Sequence, residues 1–168
     1  LVVSLLVWGS LSRDAALREW QLIAQSLSRA LSQEVSQSLR TADLVLKSIA
    51  DQVEQAGLER PEQVALAFNN QATLETIRNR ALVAPQVDVA TITDHQGDVV
   101  NFTRSFPPPR INLSDRDYFR AMGSDASLTS FLSVPVQNRG TGTWTFYLAR
   151  PIRAQNGAFL GALLTGLH

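Results

Sequence analysis

The chain has 168 residues, 45% of them apolar, enough for one domain with its own core. Fifteen basic and fifteen acidic groups cancel to zero formal charge, which excludes a global field that would draw the chain to nucleic acid or anionic lipid. It has no cysteine, hence no disulfide scaffold and no thiolate metal site, and its two histidines, His95 and His168, stand too far apart to suggest zinc.

The first eleven residues, LVVSLLVWGSL, are mostly apolar but too few to span a bilayer, which takes about 20 residues of helix. They read either as the start of a core helix or as the outer end of a transmembrane helix whose beginning is cut away. The missing initiator methionine and the abrupt switch to SRDAALREWQ favour the second, so residues 1–11 are expected to be that end.

Residues 12–56 contain neither proline nor glycine, and their apolar positions recur at helical spacing. Leu17, Ala24, Leu31 and Val45 share one seven-residue register, interrupted by Ser38. Trp20, Leu27, Leu39, Ala42, Leu46, Ile49 and Val53 widen the stripe. The spacing predicts one amphipathic helix of roughly 60 Å, at about 1.5 Å per residue, with a stripe that suits dimerisation. Part of it is expected to project from the domain towards a membrane or a partner helix.

Gly57 ends this helix, and Pro61 opens a second that runs to about residue 82, with Val64, Leu66, Phe68, Leu74 and Ile77 as its apolar set. After Pro85 the period becomes alternating. VDVATITD reads as a strand, HQGD as its turn and VVNFT as the returning strand. The run FPPPR leads to a short helix starting near Asp115, then to three strands near 129–137, 142–152 and 158–167, joined by the turns NRGTG and AQNG. The order predicts an α+β fold: a five-stranded antiparallel sheet with helices on one side.

Within NLSDRDYFRA, Ser114 and Asp115 can cap the short helix, and Asp117 completes a capping-box pattern. Tyr118, Phe119 and Met122 form its apolar face. Arg120 reads as solvated. Arg116 falls in the first turn, where the dipole disfavours a cation, so it is either solvated, paired with a carboxylate or gripping an anionic ligand. No catalytic motif is present, and DHQGD reads as a surface turn rather than an acid–base site, so the chain is not expected to be an enzyme. No cofactor is expected.

Three segments occur in order: LSDRDYFRA, FLSVPVQNRGTGTWTFYLARPI and NGAFLGALLTGL. Together they resemble the extracytoplasmic Cache sensor domains of bacterial transmembrane receptors, and most of all the membrane-distal half of double-Cache (PDC-type) sensors. The resemblance covers about residues 12–167. It implies a PAS-like sheet behind the long N-terminal helix, with residues 57–168 as the sensor domain. It implies placement in the periplasm or extracellular space on the bacterial inner membrane, with a histidine kinase, chemoreceptor or diguanylate cyclase as output.

The resemblance further implies a pocket over the sheet in which Arg116 holds an anionic group while Tyr118 and Phe119 line the cavity. Along GTWTFYLAR, Trp144, Phe146 and Leu148 share one face while Thr145, Tyr147 and Ala149 share the other. Thr145 and Tyr147 are assigned to the pocket, because a hydroxyl buried under helices is harder to satisfy, and Trp144 to the core. Ser133 and Arg104 are expected to add hydrogen bonds; Arg139 and Arg150 are read as surface or structural arginines. Amino-acid sensors of this family carry a tyrosine upstream of the arginine, a Trp-Tyr pair after it and a later aspartate. Here Ile111 stands near the first position, Tyr118–Phe119 at the second, and 133–138 offers no aspartate, so a small organic anion is the expected ligand. The rival expectation is a dimerisation or protein-partner domain without a small-molecule ligand.

Overall fold

The computed structural model describes the backbone of residues 2–167 and the side chains of residues 20–167. Its elements are α1 (Val2–Gln55), α2 (Glu62–Phe68), α3 (Gln71–Ala81), β1 (Val87–Asp94), β2 (Val99–Phe102), α4 (Asp117–Ser124), β3 (Phe131–Leu132), β4 (Val136–Gln137), β5 (Trp144–Arg153) and β6 (Phe159–Leu167). The chain falls into two units, Leu1–Ser38 and Leu39–His168. The expectation of a transmembrane end at residues 1–11 lies outside the described side chains. Among the described residues no helix is long and apolar enough to cross a membrane.

The first unit is helix alone. Trp20, Ile23, Leu27, Leu31 and Val35 are exposed, and a shallow groove runs between Ala24, Leu27, Leu31 and Val35, edged by Ser28, Ser32 and Ser36.

In the second unit the same stripe is covered. Ala42, Val45, Leu46, Ile49 and Val53 of α1 are buried with Val64 and Phe68 of α2 and Ile77 of α3. They lie over Ala90, Ile92, Val100, Leu148, Leu160 and Leu163 on one face of the sheet. Each large aliphatic side chain fully buried in this way contributes about 1.5–3 kcal/mol. Arg150 of β5 donates to both carboxylate oxygens of Asp43 at 2.7–3.0 Å, which pins α1 to the sheet.

The sheet is antiparallel, ordered β2-β1-β6-β5-β3, with β4 also paired to β5. The single strand expected at 129–137 is two short ones, because Ser133–Pro135 interrupts the ladder. Pro135 has no N–H to give, and the Ser133 hydroxyl accepts from Tyr147 N at 2.9 Å. α4 covers the opposite face, so helices flank both sides of the sheet rather than the one side expected; there Val89, Leu113, Tyr118, Phe119, Met122, Tyr147 and Leu164 make a second core.

The helix expected from Pro61 to about residue 82 breaks at Asn69–Asn70. Asn70 Oδ1 accepts from Thr73 N at 2.9 Å and so starts α3. The carbonyls of Phe68 and Asn70, which take the backbone N–H groups of Asn70 and Leu74, accept in addition from Nδ2 of Asn101, at 2.7 and 2.9 Å. Asn101 is fully buried on β2, so the break is welded to the sheet.

The alternation along β5 is as the sequence reads: Leu148 joins the core under α1–α3, while Tyr147 and Ala149 join the core under α4. Trp144 is a correction, because it is 68% exposed rather than core. It opens β5 opposite Gln137 of the two-residue β4, and the helix-side core begins only at Leu148.

Candidate functional site

The segment between β2 and α4 crosses the α4 face of the sheet and is fastened by side chains. Asn112 Nδ2 donates to Gln96 O at 2.9 Å and Asp98 Oδ1 at 2.8 Å, which ties this segment to the β1–β2 turn. In that turn Gly97 has φ +86°, and a Cβ there would stand 2.6 Å from Ser114 N, so only glycine lets the two strips of backbone meet. Asn112 Oδ1 accepts from Ser114 N at 3.0 Å and from Ser114 Oγ at 2.6 Å.

The Ser114 hydroxyl is therefore taken, and the expected cap by Ser114 and Asp115 is not formed. α4 begins two residues later with Arg116 at the N-cap, in extended conformation and without a side-chain cap bond. Asp117 Oδ1 accepts from Tyr118 N at 2.8 Å and Oδ2 from Val134 N at 3.4 Å, which joins the helix start to the β3–β4 link.

Between this segment, the sheet and the 138–143 hairpin lies a cavity of about 40 Å³. That is room on the order of two or three waters. Its apolar wall comes from Val89, Val99, Phe102, Ile111 and Leu113; its polar wall comes from Thr91, Asn138, Arg139 and Tyr147. Asn138 Oδ1 accepts from Gly140 N at 2.7 Å and Thr141 N at 3.3 Å, so its amide presents Nδ2 to the Tyr147 hydroxyl. Burial pushes the Tyr147 phenol above its ordinary pKa, against the pull of Arg104, Arg116 and the Asn138 bond. Gly166 packs against two of the lining residues: a Cβ there would stand 2.8 Å from Val89 Cγ1 and 3.3 Å from Tyr147 Cε1.

Of the residues singled out in the sequence, Tyr147 lines this cavity. Tyr118 and Phe119 stand in the core behind it, Tyr118 with its ring centroid 5.7 Å from that of Tyr147 and Phe119 edge-on to Phe159 at 5.3 Å. Burial, with Tyr147 next, raises the Tyr118 phenol far above its ordinary value. Arg116 Nη2 donates to Gln137 O at 2.9 Å, while its Nε is buried with no acceptor. Ser133 spends its hydroxyl on Tyr147 N and Val134 O, and Thr145 gives its own to Thr143 O at 3.4 Å; both lie beside the cavity without lining it. Arg104 pairs with Asp88 in a separate open cleft with Arg78 and Thr103.

Asn138 and Arg139 also line the cavity; in the sequence the first passes unmarked and the second reads as a surface or structural arginine, their only signal being their place at the head of the NRGTG turn. Arg139 Nη1 donates to Asn112 O and Nη2 to Asp115 Oδ2, the latter at 2.6 Å. Desolvation opposes the effect, but Arg139 outweighs it and holds the Asp115 carboxyl below its ordinary pKa. A larger cleft of about 450 Å³ lies on the helix side among Val53, Glu54, Leu58, Ile152 and Leu163. Its lining mixes aliphatic residues with Glu54, Arg153 and Gln155, so its wall carries a carboxylate as well as a guanidinium, whereas the smaller cavity is lined, among the described residues, by no carboxylate.

No family model and no curated protein matches the chain. Solved structures do match. The extracellular domain of rpHK1S-Z16, described as a histidine kinase, is 26% identical over 85% of this chain and 55% of its own, with a TM-score of 0.69. The chain carries the Cache, PDC-type sensor fold. An extracellular ligand-binding receptor from Desulfohalobium retbaense is 19% identical over 81% of this Cache domain and 23% of its own chain, with a TM-score of 0.59. The ligand-binding domain of Campylobacter jejuni chemoreceptor Tlp3, solved in complex with L-norvaline, is 14% identical over 82% of the Cache domain and 52% of its own chain, with a TM-score of 0.55. The Cache domain thus spans about half the length of the rpHK1S-Z16 and Tlp3 domains, at 55% and 52%.

Proposed function

We propose that this Cache domain senses a small organic anion in the periplasm or extracellular space, as the input of a bacterial transmembrane receptor. A histidine kinase, chemoreceptor or diguanylate cyclase is the output. One observation carries the reading: among the described residues that line the cavity there is no carboxylate, while Arg139, Asn138 and Tyr147 converge as donors. Arg116 adds a buried Nε without an acceptor, and its charge reaches both tyrosines. A buried donor left unpaired costs about 1–3 kcal/mol, which an anionic guest recovers. An ammonium would meet the like charge of Arg139 and no carboxylate on the wall.

In this reading Arg116 holds the anion, Tyr118 and Phe119 form the wall behind it, Ser133 and Thr145 support Tyr147, and Arg104 adds positive field. The signal passes from β5 and β6 through the helix-side core to the buried part of α1, and the domain pairs as a homodimer through that helix, which continues to the membrane. Output requires that the ligand bind two states with different affinity.

The test is thermal unfolding across a panel of small carboxylates. Stabilisation should grow with concentration, by about 2.7 kcal/mol at 100 times Kd, and disappear in Arg116→Ala. A panel that leaves the melting temperature unmoved rejects the reading. The exposed stripe of Trp20, Leu27, Leu31 and Val35 then favours a dimerisation or protein-partner role, checked by the mass in solution of Leu27→Asp.

A further inference from the structure

We infer that Arg139 is a second ligand-binding guanidinium of the cavity, that Asp115 is the protein's own competitor for it, and that the ligand is a short aliphatic monocarboxylate. The inference rests on the anion-sensing reading and deepens it.

The placement of the two arginines is the starting point. Arg139 is part of the cavity wall, while Arg116 lies outside that wall and gives Nη2 to the Gln137 carbonyl. Arg139 stands on a rigid perch: Asn138 Oδ1 receives two N–H groups of the same turn, and Gly142 N donates to Asn138 O at 2.7 Å. One arm of its fork is spent on Asn112 O, which anchors it to the crossing segment. The other is on Asp115, and that pair is loosely kept, with side chains 39% and 62% exposed. An exposed ion pair of this kind is weak and screened by salt. A carboxylate at the mouth of the cavity accepts from the same planar fork and, unlike Asp115, gains further from an apolar tail drawn into the cavity behind it.

The rest of the cavity selects the tail. Val89, Val99, Phe102, Ile111 and Leu113 are aliphatic or aromatic, and about 40 Å³ admits a short chain but no second charged group. The bound carboxylate replaces Asp115 on Nη2, removing one tie between the segment before α4 and the hairpin while Asn112 keeps its hold on Arg139 and Arg116 keeps its own on Gln137 O. Ligand arrival is thereby read out as the loss of one named contact across the segment that leads into the helix.

Titration calorimetry with propionate tests this on wild type, Arg116→Ala, Arg139→Gln, Arg139→Lys and Asp115→Asn, with neutral propionamide as control. Asp115→Asn should bind propionate about threefold more tightly, the yield of removing a weak rival pair. Arg139→Gln should bind at least about tenfold more weakly, and Arg139→Lys, which keeps charge but loses the fork, should fall between. A purely structural ion pair predicts that Asp115→Asn and Arg139→Gln act in the same direction, and that result overturns the inference. Propionate binding unchanged in Arg139→Gln but lost in Arg116→Ala also overturns it, while leaving the anion-sensing reading intact. No propionate binding by wild type overturns it too, and the underlying reading falls with it only if every carboxylate of the panel fails. The exposed Asp115→Asn keeps the question answerable should Arg139→Gln fold poorly.

Discussion

Asn101→Ala removes a side chain that no solvent reaches and that makes three hydrogen bonds. Nδ2 serves the carbonyls of Phe68 and Asn70, and Oδ1 accepts from Phe102 N at 2.8 Å. A net hydrogen bond is worth roughly 1 kcal/mol, and a buried group left unpaired costs about 1–3 kcal/mol; the substitution should therefore cost about 3–4 kcal/mol. In a chain of this size that lowers the melting temperature on the order of 10 °C. Circular dichroism of the helical signal in urea is the assay, and the midpoint should fall with an unchanged slope, the mark of lost stability rather than a changed unfolded state. Asn101→Asp keeps the acceptor but turns a carboxylate on two carbonyls, and should be at least as damaging. A loss below about 1 kcal/mol for the alanine variant, or a stable aspartate variant, would refute the reasoning that Asn101 welds the α2–α3 break to the sheet.

Gly166→Ala places a methyl group 2.8 Å from Cγ1 of Val89, a residue of the cavity wall. Overpacking costs about 1–3 kcal/mol, against roughly 0.5–1 kcal/mol gained by replacing a strand glycine, so urea unfolding should show a net loss of about 1–2 kcal/mol and calorimetry a weaker carboxylate affinity. Unchanged values of both would mean that Val89 and its neighbours yield freely. Burial raises the phenols of Tyr118 and Tyr147, so the folded chain keeps their protons where the unfolded chain begins to lose them, near pH 10. Their stabilising share is intact below that pH and declines above it, and Tyr118→Phe should flatten the fall in urea midpoint between about pH 9 and 11. An equally steep fall in the variant contradicts the assignment to Tyr118.

What the sequence discloses is what neighbours along the chain decide. The long helix is legible because proline and glycine are absent from 12–56, and Tyr118, Phe119 and Met122 are legible as a face because their spacing is helical; all three are buried. What it hides depends on partners far along the chain. The α2–α3 break is favoured by Asn101, more than thirty residues after the carbonyls it serves. The N-cap moves from Ser114 to Arg116 because Asn112 claims the Ser114 hydroxyl, after Asn112 is itself caught by Gln96 and Asp98. Arg139 looks like an ordinary turn arginine until the crossing segment brings Asn112 and Asp115 beneath it. Alternation tells which way Trp144 faces; it does not tell whether anything lies over that face.

The outward Trp144 has a practical side. Trp20 and Trp144, the tryptophans whose side chains are described, both sit in contact with solvent. Their emission is therefore that of wetted indole before and after denaturation, and the fluorescence of these two is a dull gauge of folding. The same feature makes Trp144 a sensitive optical beacon for association: a subunit or receptor segment that settles on the margin of the sheet would dry the ring and shift its spectrum to the blue, with no label attached.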